Sequence, residues 1–202
     1  DGGLALGTST MVKGFTVQNG LASSGPGISV SFASFLEGNS PPSLFENMII
    51  KDNVGSYGGG MWLNPMGTGN ITIRNSVFTK NVGSAIHNQI CDNSDIIVEN
   101  CLIYGNDGGS SEAGAFGSAG DYYSGYGLRI INSTIVNNTG GFTGGILMYT
   151  DANVYLRNSI LYNNTPNELT TIGDIITIDV DYTLLTNGSD VTIYNSGIGI
   201  QE

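Results

Sequence analysis

The sequence predicts an all-β fold, a parallel β-helix of about seven coils with three short strands in each coil. The main observation is an internal repeat, because variants of residues 74–81 (RNSVFTKN) return along the whole chain. We align the copies on one turn residue, called the anchor: Gly14, Asn47, Asn75, Asn100, Asn132, Asn158 and Asp181. The anchors lie about 28 residues apart on average, and no copy shows a helical period. Short β-branched runs broken by Gly, Asn, Asp and Ser indicate strands and turns instead.

Each repeat supplies three strand-forming segments. A glycine-led apolar segment comes first, as at residues 59–63, 84–88 and 144–148. A second segment ends at the anchor (residues 71–73), and a third follows it (residues 77–78). Three short strands per repeat make one coil, and successive coils of a β-helix stack about 4.8 Å apart.

Fixed positions after the anchor predict the inside of the coil. The third position is always apolar and is expected to face the core: Val17, Ile50, Phe78, Ile103, Ile135, Leu161 and Leu184. The sixth position is mostly asparagine: Gly20, Asn53, Asn81, Asn106, Asn138, Asn164 and Asn187. Asparagine tolerates left-handed backbone, and stacked amides both donate and accept hydrogen bonds. Anchors and sixth positions are therefore expected at two corners of each coil.

The residue before the anchor predicts an outward-facing row whose first four members alternate in charge between neighbouring strands. The row is Lys13, Glu46, Arg74, Glu99, Ile131, Arg157 and Val180. This pattern assigns Arg74 and Arg157 to the surface without a catalytic role.

Composition excludes several classes of function. The 202 residues carry a formal net charge of −11, which repels nucleic acids and anionic membranes. No apolar run approaches the roughly 18 residues of a membrane-spanning helix. Cys91 and Cys101 indicate neither a disulfide framework nor a zinc site, and allow at most one disulfide. The length and the 40% hydrophobic content predict one domain, residues 1–202, as a segment of a longer protein.

Two paired motifs resemble a known family. A Gly-Gly-x-hydrophobic strand start (residues 58–61 and 143–146) is paired with a hydrophobic-x-x-Asn turn (residues 78–81 and 161–164). The pair resembles the right-handed parallel β-helix repeats of bacterial secreted and surface proteins, including adhesins of the polymorphic outer-membrane type in the pectate-lyase-like superfamily. The resemblance implies a right-handed coil and a secreted or cell-surface location in a bacterium. Because that superfamily contains lyases, hydrolases, adhesins and spikes, the fold does not choose among these functions.

One candidate ligand site is the glycine-rich segment at residues 107–127. It carries Phe116, Asp121, Tyr122, Tyr123 and Tyr126. Aromatic rings stack on sugars and carboxylates accept hydrogen bonds from sugar hydroxyls, so the segment is a candidate glycan-binding site. The alternative is a loop whose tyrosines fold back over the coil.

A second candidate site contains the single histidine of the chain, His87. The repeat places it beside Trp62 on the outward face of the glycine-led strand, with Asp92 and Asp95 in the following turn. This grouping predicts a carbohydrate-binding or acid–base patch. The alternative is an exposed histidine without a role.

An acidic cluster near the C-terminus is the candidate metal site. Asp179 and Asp181 would share one face of an extended strand, and together with Asp174 they offer the carboxylate ligands that Ca²⁺ prefers. Their spacing matches no calcium loop, so a solvated acidic edge is the alternative. No other cofactor is expected.

These observations predict a non-catalytic secreted or surface protein: a structural stalk, an adhesin or a self-assembling filament subunit that binds cell-surface glycans or other polysaccharides. Coil edges can accept another coil, which predicts self-association through the ends. The alternative is a polysaccharide lyase or glycoside hydrolase acting on an extended polysaccharide. Such enzymes cluster carboxylates and a base on one face, and the sequence offers only Trp62, His87 and Asp92 for that role.

Overall fold

The chain forms a stack of parallel strands in three sheets, seen in a computed structural model. The structure describes residues 4–5, 10–31, 42–64, 69–89, 95–118, 127–149, 152–173, 177–185, 191–194 and 200–201. Within these ranges every named element is a β-strand. The predicted all-β solenoid with three strands per coil is therefore confirmed.

Each coil contributes one strand to sheet A, then one to sheet B and one to sheet C. Sheet A contains β1 (Leu4–Ala5), β4 (Ile28–Ser31), β7 (Met61–Asn64), β10 (Ile86–Asn88), β13 (Phe116–Ser118), β16 (Ile146–Tyr149), β19 (Leu169–Ile172) and β22 (Val191–Tyr194). Sheet B contains β2 (Thr10–Lys13), β5 (Ser43–Glu46), β8 (Ile71–Arg74), β11 (Asp95–Glu99), β14 (Gly127–Ile131), β17 (Asn153–Arg157), β20 (Thr177–Asp181) and β23 (Ile200–Gln201). Sheet C contains β3 (Thr16–Gln18), β6 (Ile49–Lys51), β9 (Val77–Thr79), β12 (Leu102–Tyr104), β15 (Thr134–Val136), β18 (Ile160–Tyr162) and β21 (Leu184–Leu185).

The strand register keeps equivalent residues of successive coils in line. In sheet C, Ile50 pairs with Phe78, Phe78 with Ile103, and Ile103 with Ile135. Successive side chains of a strand point to opposite faces, so one face of each sheet fills the interior. The predicted core column is confirmed from Ile50 to Leu161, because each of these side chains is buried.

The anchor corner joins sheet B to sheet C, and its left-handed backbone is confirmed. The anchors Gly14, Asn47, Asn75, Asn100, Asn132 and Asn158 all have positive φ, between 48° and 77°. The second left-handed residue is the fifth after the anchor, not the sixth: Asn19, Asp52, Lys80, Gly105, Asn137 and Asn163. The sixth-position asparagines turn inward and are buried from Asn53 to Asn164. The prediction that the sixth position forms the second corner was wrong. Two adjacent polar positions share this turn, and only the fifth makes the corner.

In the last repeat the structure places the anchor at Tyr182, one residue after the predicted anchor Asp181. Arg157 pairs with Asp181, and Tyr182 takes the left-handed position with a φ of 48°. Leu185 therefore packs against the core, whereas Leu184 is 56% exposed. A slip of one residue exchanges the two faces of a strand. The copy has no asparagine at its corner, so the sequence contained no marker of the true register.

The outward charge row is confirmed where ion pairs link its members. Glu46 lies 3.0 Å from Lys13 Nζ and 3.0 Å from Arg74 Nε. The hydrogen bond from Lys13, followed by that from Arg74, holds the pKa of Glu46 below its usual range. These residues stabilise neighbouring coils on the surface of sheet B.

Candidate functional site

His87 and Trp62 lie side by side on sheet A, as the repeat predicts. Strands β10 and β7 pair in parallel, with His87 opposite Trp62 and Ile86 opposite Met61. Ile86 and Met61 belong to the hydrophobic core. Strand alternation therefore turns His87 and Trp62 toward the outer side of the sheet.

His87 is nevertheless buried, which corrects the expectation of an exposed side chain. Its relative exposure is 0%, while Trp62 is half-buried. The imidazole Nδ1 lies 3.1 Å from Glu112 Oε2, and the rings of Tyr57 and His87 are 5.5 Å apart between centroids. Among the described residues, His87 Nε2 has no hydrogen-bond partner. The cover comes from the turns that lead into sheet A, because these turns supply Tyr57 and Glu112.

Gly117 leaves the space that the Glu112 carboxylate occupies. It pairs with His87 between β10 and β13. A Cβ at Gly117 would lie 3.0 Å from Glu112 Oε2 and 3.2 Å from His87 Nδ1. The turn is also fixed by Ser84 Oγ, which donates a 2.6 Å hydrogen bond to the carbonyl of Ala113. The carboxylate reaches the imidazole because this position has no side chain.

The charge of Glu112 also acts on Tyr149, at the end of β16. Burial raises the pKa of the Tyr149 hydroxyl, and the negative charge of Glu112 raises it further. We call Tyr57, His87, Glu112 and Tyr149 the His87 cluster. A histidine held by a carboxylate can store or transfer a proton, so this cluster is the chemically most distinctive group in the described part of the chain.

Phe116 is a core residue, which corrects its assignment to a glycan site. It is 1% exposed and lies between Ile86 and Ile146 in sheet A. Residues 113–118 repeat the glycine-led strand start with Ala-Gly-Ala in place of Gly-Gly, so this stretch forms a coil and not a loop. The other candidates of the segment, Asp121, Tyr122, Tyr123 and Tyr126, fall outside the described residues, as does Asp92.

Asp179 and Asp181 share one face of β20, as expected for the candidate metal site. Both approach Arg157 on β17: Arg157 Nη1 donates a 2.9 Å hydrogen bond to Asp179, and Nε lies 3.8 Å from Asp181. The Arg157 hydrogen bond holds the pKa of Asp179 below its usual range. Asp174 falls outside the described residues, and those described contain no cluster of three His, Cys, Asp or Glu suited to a metal. Calcium binding stays a prediction.

The outer side of sheet C, from β12 to β18, is an apolar and partly exposed surface that the sequence analysis missed. Its residues occupy the second and fourth positions after the anchor. The second positions are Leu102, Thr134 and Ile160, and the fourth positions are Tyr104, Val136 and Tyr162. In the preceding strands β6 and β9 the fourth positions are Lys51 and the buried Thr79. Tyr104 is 37% exposed and Tyr162 is 51% exposed. The sequence did contain a signal for this surface, because the second and fourth positions flank the core position of the same strand and must face outward.

The comparison with protein families agrees with this architecture. A family model described as a right-handed β-helix region matches residues 3–200. The chain belongs to this family. The family is consistent with surface or structural proteins and with polysaccharide-active proteins, and it is frequent among secreted and surface proteins. No curated protein and no solved structure matches the chain.

Two places in the described part of the chain stand out as candidate sites. The His87 cluster is internal and lies under the turns of sheet A, whereas the face of sheet C is open and apolar.

In the described part of the β-helix, no helix is both long and apolar enough to span a bilayer.

Proposed function

We propose that this β-helix is a non-catalytic secreted or cell-surface protein, a stalk or adhesin whose rigid coil presents an outer face to glycans. The observation that carries the proposal is that acidic and basic side chains pair with one another. His87 pairs with Glu112 in the interior, and Arg129 Nε lies 2.6 Å from Asp95 on sheet B. A lyase or hydrolase needs its acid and base at an open substrate groove, whereas His87 is buried.

Rigidity of the coil supports the role of a stalk. Asn81 Nδ2 donates a 3.0 Å hydrogen bond to Asn106 Oδ1, and Asn106 Nδ2 donates a 2.9 Å bond to Asn138 Oδ1. The same pattern links Asn53 to Asn81 and Asn138 to Asn164. These buried amides fix each coil to the next one along the axis.

The coil that contains β2 and β3 is suited to accept a further coil, either from the same protein or from another copy. A cavity of about 290 Å³ lies there, and its lining includes Val12, Phe15, Val17, Phe45 and Met48. Phe15 is 61% exposed. Another coil stacked on β2 and β3 would cover these apolar side chains and pair the edge strands.

Incubation with a panel of acidic and neutral polysaccharides, with and without Ca²⁺, tests the absence of catalysis. We expect neither new reducing ends nor unsaturated products. Products that form with the native protein but not with folded His87→Gln or Glu112→Gln variants would overturn the proposal. Circular dichroism of both variants establishes that they are folded.

One observation favours a polysaccharide-cleaving enzyme as the second candidate. Glu112 holds His87 Nδ1, while Nε2 has no hydrogen-bond partner among the described residues. An imidazole with one nitrogen fixed by a carboxylate is suited to act as a general base. Substrate would reach Nε2 only if the cover that includes Tyr57 moved. The incubation above decides between the two candidates.

A further inference from the structure

We propose that the outer face of sheet C, from β12 to β18, binds an extended, uncharged β-1,4-linked glycan. This inference rests on the proposed surface role and assigns it a binding face and a ligand class. We call this surface the C face. It consists of Leu102, Tyr104, Thr134, Val136, Ile160 and Tyr162.

The C face carries no charged side chain, although the chain has a net charge of −11. Leu102, Tyr104, Ile160 and Tyr162 are between 37% and 51% exposed. Such a surface suits the apolar faces of sugar rings, on which aromatic and aliphatic side chains pack. The net negative charge of the chain disfavours anionic polysaccharides, so the matching ligand is neutral.

The spacing of the two tyrosines fits a β-1,4-linked chain that runs along the axis of the coil. Tyr104 pairs with Val136, and Val136 pairs with Tyr162, so the two rings are two coils apart. That separation is roughly 9.6 Å for strands about 4.8 Å apart. In an extended β-1,4-linked chain, alternate sugars present the same ring face after a similar distance. Each tyrosine can therefore stack on an equivalent sugar face, with Val136 under the sugar between them.

Exposed amides border the C face on both sides. The anchor asparagines Asn100, Asn132 and Asn158 lie along one side, and Asn137 and Asn163 lie along the other. All five have left-handed backbone and exposed side chains. Asn163 Nδ2 donates a 2.6 Å hydrogen bond to Asn137 Oδ1, so these amides already form a row. Rows of amide donors and acceptors beside an apolar strip match the equatorial hydroxyls of a β-linked glycan.

The dimensions of sheet C favour a linear ligand over a second copy of the chain. Three strands at about 4.8 Å spacing and three residues at about 3.3 Å give the C face an area of roughly 140 Å². A stable protein interface buries about 800 Å² on each partner. Two copies would also bring together two chains that each carry a formal net charge of −11. A single glycan chain has the width and length of this face.

Isothermal titration calorimetry with cellohexaose and chitohexaose tests the proposal. We expect the native protein to bind at least one of them, and the Tyr104→Ala/Tyr162→Ala double variant to bind about tenfold more weakly or worse. The matched control is Tyr155→Ala, because Tyr155 lies on sheet B against Arg129 and should leave the affinity unchanged.

Several outcomes would overturn the C face as the site. These are the absence of binding to both glycans, unchanged affinity in the double variant, and loss of binding in Trp62→Ala instead. A concentration-dependent dimer that disappears in the double variant would also overturn it, by identifying a second copy as the occupant. Cleavage of the hexaoses would refute the non-catalytic role separately, because binding and product formation are measured independently.

Discussion

Asparagine occupies two positions in each of five coils, and the structure uses its amide differently at each position. The anchor Asn100 is exposed, and its left-handed backbone turns the chain from sheet B to sheet C. Asn81 is fully buried, where its Nδ2 donates to Asn106 Oδ1 and to the Ile50 carbonyl. Its Oδ1 accepts from the backbone N–H and the Nδ2 of Asn53. The anchor position requires a residue that adopts left-handed backbone. The sixth position requires a side chain that both donates and accepts hydrogen bonds.

Replacing these asparagines separates the two roles. We expect Asn81→Leu to lower the free energy of unfolding by about 1–3 kcal/mol, because several buried partners lose their hydrogen bonds. Asn100→Gly keeps the left-handed backbone and should change stability by less than about 0.5 kcal/mol. Urea unfolding monitored by circular dichroism measures both. Equal stability of Asn81→Leu and the native protein would contradict a stabilising asparagine ladder.

Cys101 occupies a column that serine or threonine fills in neighbouring coils. At this position, directly after the anchor, Ser76, Ser133 and Ser159 accept hydrogen bonds from backbone N–H groups of adjacent coils. Cys101 is a buried free thiol, and its Sγ lies 3.3 Å from the Glu99 carbonyl. Burial raises the pKa of the Cys101 thiol to about 11.

This raised pKa predicts a loss of stability in alkali. An unfolded cysteine ionises near pH 8.5, so from about pH 8.5 to pH 11 the unfolded state releases a proton that the folded state retains. The native protein should therefore lose about 2–3 kcal/mol relative to Cys101→Ser across this range, and nothing below it. Chemical denaturation of both proteins at several pH values measures the difference. A constant difference across the alkaline range would show that the thiol is not protected.

At the scale of the element, the glycine-led strands of sheet A determine which side chains can lie above them. The column on the outer side of this sheet runs from Trp62 through His87 to Gly117 and Leu147. Among these four positions only Gly117 has no side chain, and the Glu112 carboxylate from the preceding turn occupies the space above it. The His87 cluster is therefore a consequence of one missing side chain.

Adding a methyl group at Gly117 tests this dependence. Gly117→Ala places Cβ about 3 Å from both Glu112 and His87, so we expect the pair to separate and the free energy of unfolding to fall by about 1–3 kcal/mol. Gly105→Asn is the matched control, because its Cβ meets nothing within 4 Å and asparagine already holds the equivalent corner at Asn137 and Asn163. Imidazole ¹⁵N shifts report the His87–Glu112 contact. Unchanged shifts in Gly117→Ala would contradict the arrangement.

The strands could be predicted from the sequence because each coil repeats the same local pattern. Asn75 marks a corner by residue type, and Phe78 belongs to a column that is apolar in every copy and therefore faces the core. The candidate site could not be predicted in the same way, because burial of His87 depends on Glu112, which lies 25 residues away in sequence. Phe116 was misplaced because its segment lacks the Gly-Gly pair, and the last register was misplaced because Tyr182 replaces asparagine. Where a coil departs from the repeat, contacts between coils decide the structure.

At the scale of the whole molecule, the excess of acidic residues opposes the stacking of coils. Seventeen acidic residues face only six basic ones in the sequence. Some charges are neutralised locally, since Glu46 contacts Lys13 and Arg74, and Arg157 contacts Asp179. These pairs are exposed or partly exposed, so each contributes little. The other acidic residues of the described ranges lie on the same stack of coils and repel one another over the distance set by ionic strength.

This balance predicts that salt stabilises the β-helix. The screening length falls from about 30 Å at 0.01 M salt to about 8 Å at 0.15 M, which weakens repulsion between distant coils more than attraction within contacting pairs. We therefore expect the melting temperature to rise by a few degrees over this range of NaCl at neutral pH. Asp52→Asn removes one negative charge and keeps a residue that tolerates the left-handed corner, so its melting temperature should rise less with salt. A melting temperature that falls as salt is added would mean that the ion pairs between neighbouring strands outweigh the repulsion along the rod.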